Sequence, residues 1–347
     1  MTPTFYNPDR VGTLYYPDMA AVAQAAAQAN LPPAAGADRR IMLLIVDMQV
    51  DFCHDGGALY VPGAQDDIRR LSQFIFNHAA ALTDIVCTLD SHLPFQIFHP
   101  AWWADEAGNH PAPLTLITAE DVAAGRWRPL VMPDWSRQYV ETLESEAKKV
   151  LTIWPYHVLI GGPGNSLDPA LFEVVQWHAL ARQTQPAWLV KGRIPQSEHY
   201  SALRPEIPVP DHPQGDLHEG ILDALSDADA VFIAGEAQSH CVLETVEDIV
   251  NLFGDGRLDK FYLLTDCTSS VLHPEIDFEA LSLEAFDRFA SRGVHFVKST
   301  DPLPILEGAV SASSDGAEPV LALHDLEQRP VTGVDGASRD ADGLGSL

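Results

Sequence analysis

Cysteine is scarce in this chain of 347 residues: Cys53, Cys87, Cys241 and Cys267 stand far apart, with no C-x-x-C pair among them. That spacing suggests neither a disulfide framework nor a zinc knuckle, so any cysteine that matters acts alone, as a thiol. Positive charge is also short, with 21 Lys and Arg against 49 Asp and Glu and a formal net charge of -28. A surface of that sign repels phosphate backbones and anionic lipid heads, which argues against nucleic acid or a membrane surface as partner. The longest apolar runs, such as Ile41 to Val46, fall far short of the ~20 residues that span a bilayer. The N-terminus has no basic region followed by an apolar block, and a cytoplasmic location is the expectation. There is no Gly-x-Ser-x-Gly elbow and no internal repeat, and GGPGNS (161–166) lacks the following Lys and the preceding strand of a phosphate-binding loop.

What is present is the balance of a globular protein, with 46% of residues hydrophobic and 20% charged. Short apolar or β-branched runs recur at 41–47, 84–90, 187–192, 230–236, 261–266 and 294–299, and read as buried strands. Segments of helical period separate them: 66–82, 169–183, 217–225, 240–253 and 275–292. Continuous apolar strands alternating with helices imply a parallel sheet covered on both faces, because each parallel pair needs a crossover. The expected fold is therefore α/β, a single doubly wound domain over 39–305 with a six-stranded parallel sheet. Residues 1–38 read as an N-terminal extension, and 306–347 as an acidic, flexible C-terminal tail. Between the second and third strands, 100–153 shows no clean period and holds Trp102, Trp103, Trp127 and Trp135. It reads as an insertion that serves either as a lid or as packing on the domain's flank.

In open parallel sheets, ligands bind beyond the carboxyl ends of the strands. The first strand delivers Asp47 there, the second Asp90 and His92, the third Lys191, and the fourth leads through GEAQSH to Cys241 at a helix start. Singly, these residues have plain readings as a turn cap, a solvated lysine or a buried small hydrophobe; together they suggest a reactive site. The first turn of a helix offers free N–H groups that stabilise a thiolate or hold an oxyanion. An Asp and a Lys from neighbouring strands are suited to take the thiol proton and hold the charges. Asp90 and His92, on one face of an extended segment, make half of a metal site, and His157 in WPYH is a candidate to complete it.

These pieces, LIVDMQVDF, LDSH, WPYH followed by GGPGNSLDP, VKG with a later HYSAL, GEAQSHCVLETVEDIV and LLTDCTSSV, lie in an order that resembles the nicotinamidases of the isochorismatase-like cysteine hydrolases, over about Arg40 to Thr300. The resemblance implies Cys241 as nucleophile, Asp47 as its base and Lys191 as the third member of a triad. It implies Asp90, His92 and His157 as ligands of one divalent transition metal ion (Zn, Fe or Mn), with Phe52 and Trp154 flanking a small aromatic amide substrate. It further implies an oxyanion hole at Ala237 and Cys241 and a cis peptide at Glu236–Ala237. The implied activity is hydrolysis of nicotinamide to nicotinate and ammonia through a thioester, in the service of NAD salvage. Alternatives are a related cysteine hydrolase of another small amide, a metal-water hydrolase with a structural cysteine, and a non-catalytic binding module; a homo-oligomer is left open. The chain departs from the family pattern at Glu236, at Gln238 and Ser239, and at Val158, and His99 is a weak match for a further ligand. Glu236 and the Trp-rich insertion are expected to add a polar wall or lid to the substrate pocket.

Overall fold

A computed structural model describes residues 2–146 and 149–307; the C-terminal tail lies outside the described residues from 308 onward. Six strands form one parallel sheet: β1 (Ile41–Val46), β2 (Asp84–Asp90), β3 (Ala187–Lys191), β4 (Ala230–Gly235), β5 (Phe261–Leu264) and β6 (His295–Val297). Their order across the sheet is β6-β5-β4-β1-β2-β3. The chain thus winds one way from β1 to β3, then crosses to the other side of β1 and winds outward from β4. The sheet reverses between β1 and β4, and the crevice outside their carboxyl ends is where such folds take ligands.

The apolar runs form central strands because both faces are covered. Every residue of β1 and of β4 is buried. Ile41, Leu43 and Ile45 enter one hydrophobic core, while Met42, Leu44 and Val46 enter the other, on the opposite face of the sheet. The covering helices are α1 (Met19–Ala29), α2 (Ala64–His78), α3 (Pro133–Ser145), α4 (Pro169–Arg182), α5 (Glu219–Asp227), α6 (Leu243–Phe253) and α7 (Phe278–Arg292). Their starts follow local chemistry. Asp168 caps α4 by accepting from the N–H groups of Ala170 and Leu171, with Pro169 in the first turn, and Asp277 caps α7 by accepting from Ala280.

Residues 2–8 lie against α2, where Phe5 and Tyr6 meet Phe76 and Arg69 donates to the Pro8 carbonyl, and the following stretch lies along α4. Tyr15 donates its hydroxyl to Glu173 at 2.8 Å, the Asp18 N–H donates to the same carboxylate at 2.9 Å, and Arg182 donates to the Pro32 carbonyl. The segment 100–153 carries two short antiparallel strand pairs, 103–104 with 128–129 and 116–117 with 151–152, and the helix α3. Trp102 and Trp103 are buried within it, their indole N–H groups donating to Ser136 Oγ at 2.9 Å and to the Ile97 carbonyl at 2.6 Å. Among the described residues no helix is long and apolar enough to cross a membrane.

Candidate active site

Asp47 is the first residue past β1, held at a positive φ of 44°. Its Oδ1 accepts from the Thr88 hydroxyl at 2.5 Å and from the Asp90 N–H at 3.1 Å. Gln49, two residues on, clamps the end of β2: its Oε1 accepts from the Asp90 N–H at 2.8 Å and its Nε2 donates to the Asp90 carbonyl at 2.7 Å. Asn165 donates to that carbonyl as well, at 2.9 Å. Asp90 and Lys191 are cross-strand partners at the ends of β2 and β3, so sheet register alone brings the carboxylate and the ammonium together.

Lys191, 1% exposed, is the hub. Its Nζ lies 2.7 Å from Asp47 Oδ2, 3.2 Å from Asp90 Oδ1 and 3.5 Å from Cys241 Sγ, and donates to the His199 carbonyl at 2.9 Å. Cys241 arrives from the other side of the switch point. After β4 come the cis peptide Glu236–Ala237 and a π-turn, Gln238–Val242, that leads into α6. The Thr245 hydroxyl holds the Cys241 carbonyl at 2.6 Å. Asp47, Lys191 and Cys241, three strand-end residues in the sequence, are thus one cluster in space.

The whole cluster is buried, and its electrostatics follow from that. Burial would lower the Lys191 ammonium, but Asp47 and Asp90 outweigh it and hold the pKa above its ordinary value, so the lysine stays charged. Burial raises the Asp47 carboxyl, against the pull of Lys191. Burial also opposes ionisation of Asp90, but His92 and Lys191 more than compensate and hold it well below the usual carboxylate range. The Cys241 thiol is pushed up by burial, with Lys191 pulling the other way and both carboxylates adding to the rise. A helix start that keeps a resting thiolate is therefore not what the surroundings produce; the thiol is protonated at rest and needs a base in contact.

Asp90, His92 and His157 meet beside this cluster, one ligand atom from each lying within 4.8 Å of the others. His92 Nε2 is 2.9 Å from Asp90 Oδ2. The opposite ring nitrogen of each histidine faces a backbone carbonyl: His92 Nδ1 meets Gly192 O at 3.0 Å, and His157 Nδ1 meets Pro155 O at 2.8 Å. With Nδ1 donating to these carbonyls, each Nε2 would be free to bind a metal in place of a proton. Burial, then the neighbouring His92, lowers His157 to about 3, so it is neutral. Gly192 completes the cradle at a φ of +82°, where a Cβ would stand 2.3 Å from Asp90 Oδ1. The residues present fit a divalent transition metal. His99 is buried close by, its ring 5.8 Å from that of His92, but it falls outside this set.

Above the two clusters a cavity is lined by Phe52, Trp154, Ala237 and Cys241 together with Asp90, His92 and His157. Phe52 meets His157 edge to face at 5.5 Å, and Trp154 meets His240 likewise at 5.2 Å. Each of the residues singled out from the sequence is brought to this cavity except Asp47 and Lys191, which lie behind Cys241. Glu236, however, is no part of its wall. The Glu236 side chain is buried on the other side, where it accepts from the Ser269 N–H at 3.2 Å and faces Asp67, and its carboxyl is raised by burial and by that neighbour. None of the four insertion tryptophans reaches the cavity either. The polar wall comes from Glu198, which sequence reasoning missed. Its Oε1 accepts from Trp154 Nε1 at 2.8 Å and from the Tyr200 hydroxyl, and burial raises its pKa to about 8. Gln49 was visible inside the D-x-Q motif and His199 opened the HYSAL segment, but only the fold shows what they meet; Glu198 follows a strand by several residues and carried no signal.

The six-stranded parallel sheet and its covering helices have counterparts among solved structures. The chain has the fold of the nicotinamidases. The Acinetobacter baumanii nicotinamidase/pyrazinamidase superimposes with a TM-score of 0.51 at 22% identity, over 76% of this chain and 99% of that one. The yeast nicotinamidase Pnc1p, bound to the inhibitor nicotinaldehyde, gives 0.51 at 19% identity, over 74% and 99%. No family model matches the chain, and neither does any curated protein. At such identities what is shared is the fold, and the chemistry has to be read from the residues themselves.

Proposed function

We propose that this chain is a metal-containing cysteine amidohydrolase that hydrolyses nicotinamide, or a close heteroaromatic amide, to the acid and ammonia. The observation that carries the reading is the placement of Lys191 Nζ within 3.5 Å of Cys241 Sγ and 2.7 Å of Asp47 Oδ2, directly behind an aromatic cavity. Asp47 takes the thiol proton while Lys191 stays charged and holds both anions in place. Because burial raises thiol and carboxyl alike, the transfer is between groups destabilised in the same direction. Sulfur then attacks the carboxamide carbon, and the N–H groups of Ala237 and Cys241 receive the oxyanion, each such donor contributing on the order of 3 kcal/mol. Asp47 passes its proton to the departing ammonia, which leaves a thioester on Cys241. Asp47, ionised again, draws a proton from water, and hydrolysis of the thioester restores the thiol.

Asp90, His92 and His157 would hold the metal. When bound, it supplies a Lewis-acid contact that orients the ring nitrogen of the substrate. Phe52 and Trp154 grip the ring faces, and orientation of this kind is worth up to several kcal/mol. Absence of a membrane-spanning helix among the described residues and the acidic surface fit a small-molecule enzyme working in the cytoplasm, in NAD salvage.

Ammonia release from a panel of amides, with and without added Zn²⁺, Fe²⁺ or Mn²⁺, tests the reading. Nicotinamide and pyrazinamide are expected to turn over, and benzamide, which lacks the ring nitrogen, to be poorer. Benzamide hydrolysed as fast as nicotinamide removes the ring contact from the account. Full activity after thiol alkylation would instead make a metal-bound water the nucleophile.

A further inference from the structure

His199 stands between two cavities. It lines the aromatic cavity and, together with Lys191, also lines a second cavity. The second cavity continues past Gln214 and Leu217 to Pro213 and Asp216, which are exposed. The nucleophile is one side chain away from it, because Lys191 Nζ touches Cys241 Sγ at 3.5 Å. His199 is 7% exposed, and neither of its ring nitrogens has a hydrogen-bond partner among the described residues. Such groups are costly to bury without a ligand or water to meet them. The surrounding Lys191, Gln214, Asp216 and His218 make the space polar and roomy enough for small hydrogen-bonding molecules.

The reaction proposed above creates a traffic problem. Ammonia has to leave while the acyl group is still tied to Cys241, and water has to enter afterwards. The half-exposed part of the aromatic cavity's wall is Leu59, Tyr200 and His240, and the remaining lining is buried. An acyl ring held between Phe52 and Trp154 therefore stops its own entrance. We propose, resting on the amidohydrolase reading, that the second cavity is the passage by which ammonia leaves and water reaches the thioester, with the His199 imidazole as the hydrogen-bonding station at its inner end. A neutral imidazole suits both travellers: one nitrogen accepts and the other donates, which matches water and ammonia alike. Burial, with Lys191 next, lowers His199 to about 3 and keeps it in that form. The bonds balance: C–N breaks as C–S forms, with the Cys241 proton leaving on ammonia, and C–O then forms from water as C–S breaks and the thiol is restored.

Leu217→Trp fills the second cavity, and Asp216→Trp narrows its exposed rim; neither residue lines the aromatic one. In single-turnover hydrolysis of nicotinamide, acid-quenched samples read by intact mass give the rise and decay of the thioester. The expected result is decay about tenfold slower than in wild type, with nicotinamide binding unchanged. Should Leu217→Trp fail to fold, Asp216→Trp at the rim carries the test alone. Wild-type decay in a folded variant overturns the passage while leaving the amidohydrolase reading intact. A wild-type protein that releases no ammonia from any amide overturns that reading and the passage with it.

Discussion

Lys191 keeps its charge in a buried site because two carboxylates share it. In the proposed reaction Asp47 works on the thiol, while Asp90 faces the histidines. Replacing Asp47 by Asn keeps the size and the Thr88 contact but removes the proton acceptor. Turnover is expected to fall by about a thousandfold or more with little change in KM, and steady-state ammonia release measures it. A wild-type rate at neutral pH would move the base elsewhere. Glu198 offers a test by stability. Burial lifts its pKa from the ordinary glutamate value of 4.5 to about 8, so the folded state holds this proton more tightly than the unfolded chain does. The stabilising contribution is complete below the unfolded pKa and is lost as pH climbs towards 8. Glu198→Gln has no charge to bury, so its urea midpoint should gain on that of wild type between pH 5 and pH 8; a pH-independent gap would contradict the burial of a neutral carboxyl. At this scale the sequence was readable where a residue ends a strand, as Asp47, Asp90 and Lys191 do. It was not readable at Glu198, and at His199 it gave a motif without a role, because both positions depend on how the connection after β3 folds back over the cavity.

Among elements, the six strands were legible because each is a short apolar or β-branched run, fully buried in β1 and β4 and partly exposed at the edge strand β6, and their observed bounds fall within the expected ones. Two helices escaped. In α1, MAAVAQAAAQA, only Val22 and Ala26 are buried, so small residues blur its face. In α3, Ser136 sits among the buried positions with Tyr139, Val140 and Leu143, and a polar residue there breaks the apolar stripe. The turn after β3 supplies the element-scale prediction. Gly192 has a φ of +82°, and an added Cβ would meet Asp90 Oδ1 at 2.3 Å and His92 Cε1 at 2.8 Å. Gly192→Ala is expected to displace both side chains while the sheet persists, lowering bound metal by about tenfold or more in elemental analysis with circular dichroism unchanged. Undiminished metal content would show that these two side chains are not the ligands.

Across the whole molecule, the site exists because the winding reverses. β1 and β2 bring Asp47, Asp90 and His92 from one half of the sheet, β3 brings Lys191 to its edge, and β4 brings Cys241 from the other half. Fold class and the triad's strand-end positions were therefore legible together. The wall of the cavity was not, because it is built from loops: Glu236 turned away towards Asp67, and Glu198 took the place expected of it. The insertion packs Trp102 and Trp103 into the domain's main core and holds Trp127 and Trp135 partly buried against it, leaving Trp154, just past its end, to face the cavity. Everything proposed for this arrangement passes through one covalent species. Wild-type protein mixed with nicotinamide, quenched in acid and digested should carry a single nicotinoyl group on the peptide containing Cys241, and Cys241→Ala should carry none and release no ammonia. Ammonia released by Cys241→Ala at a rate comparable with wild type, with no adduct on either protein, would contradict the account.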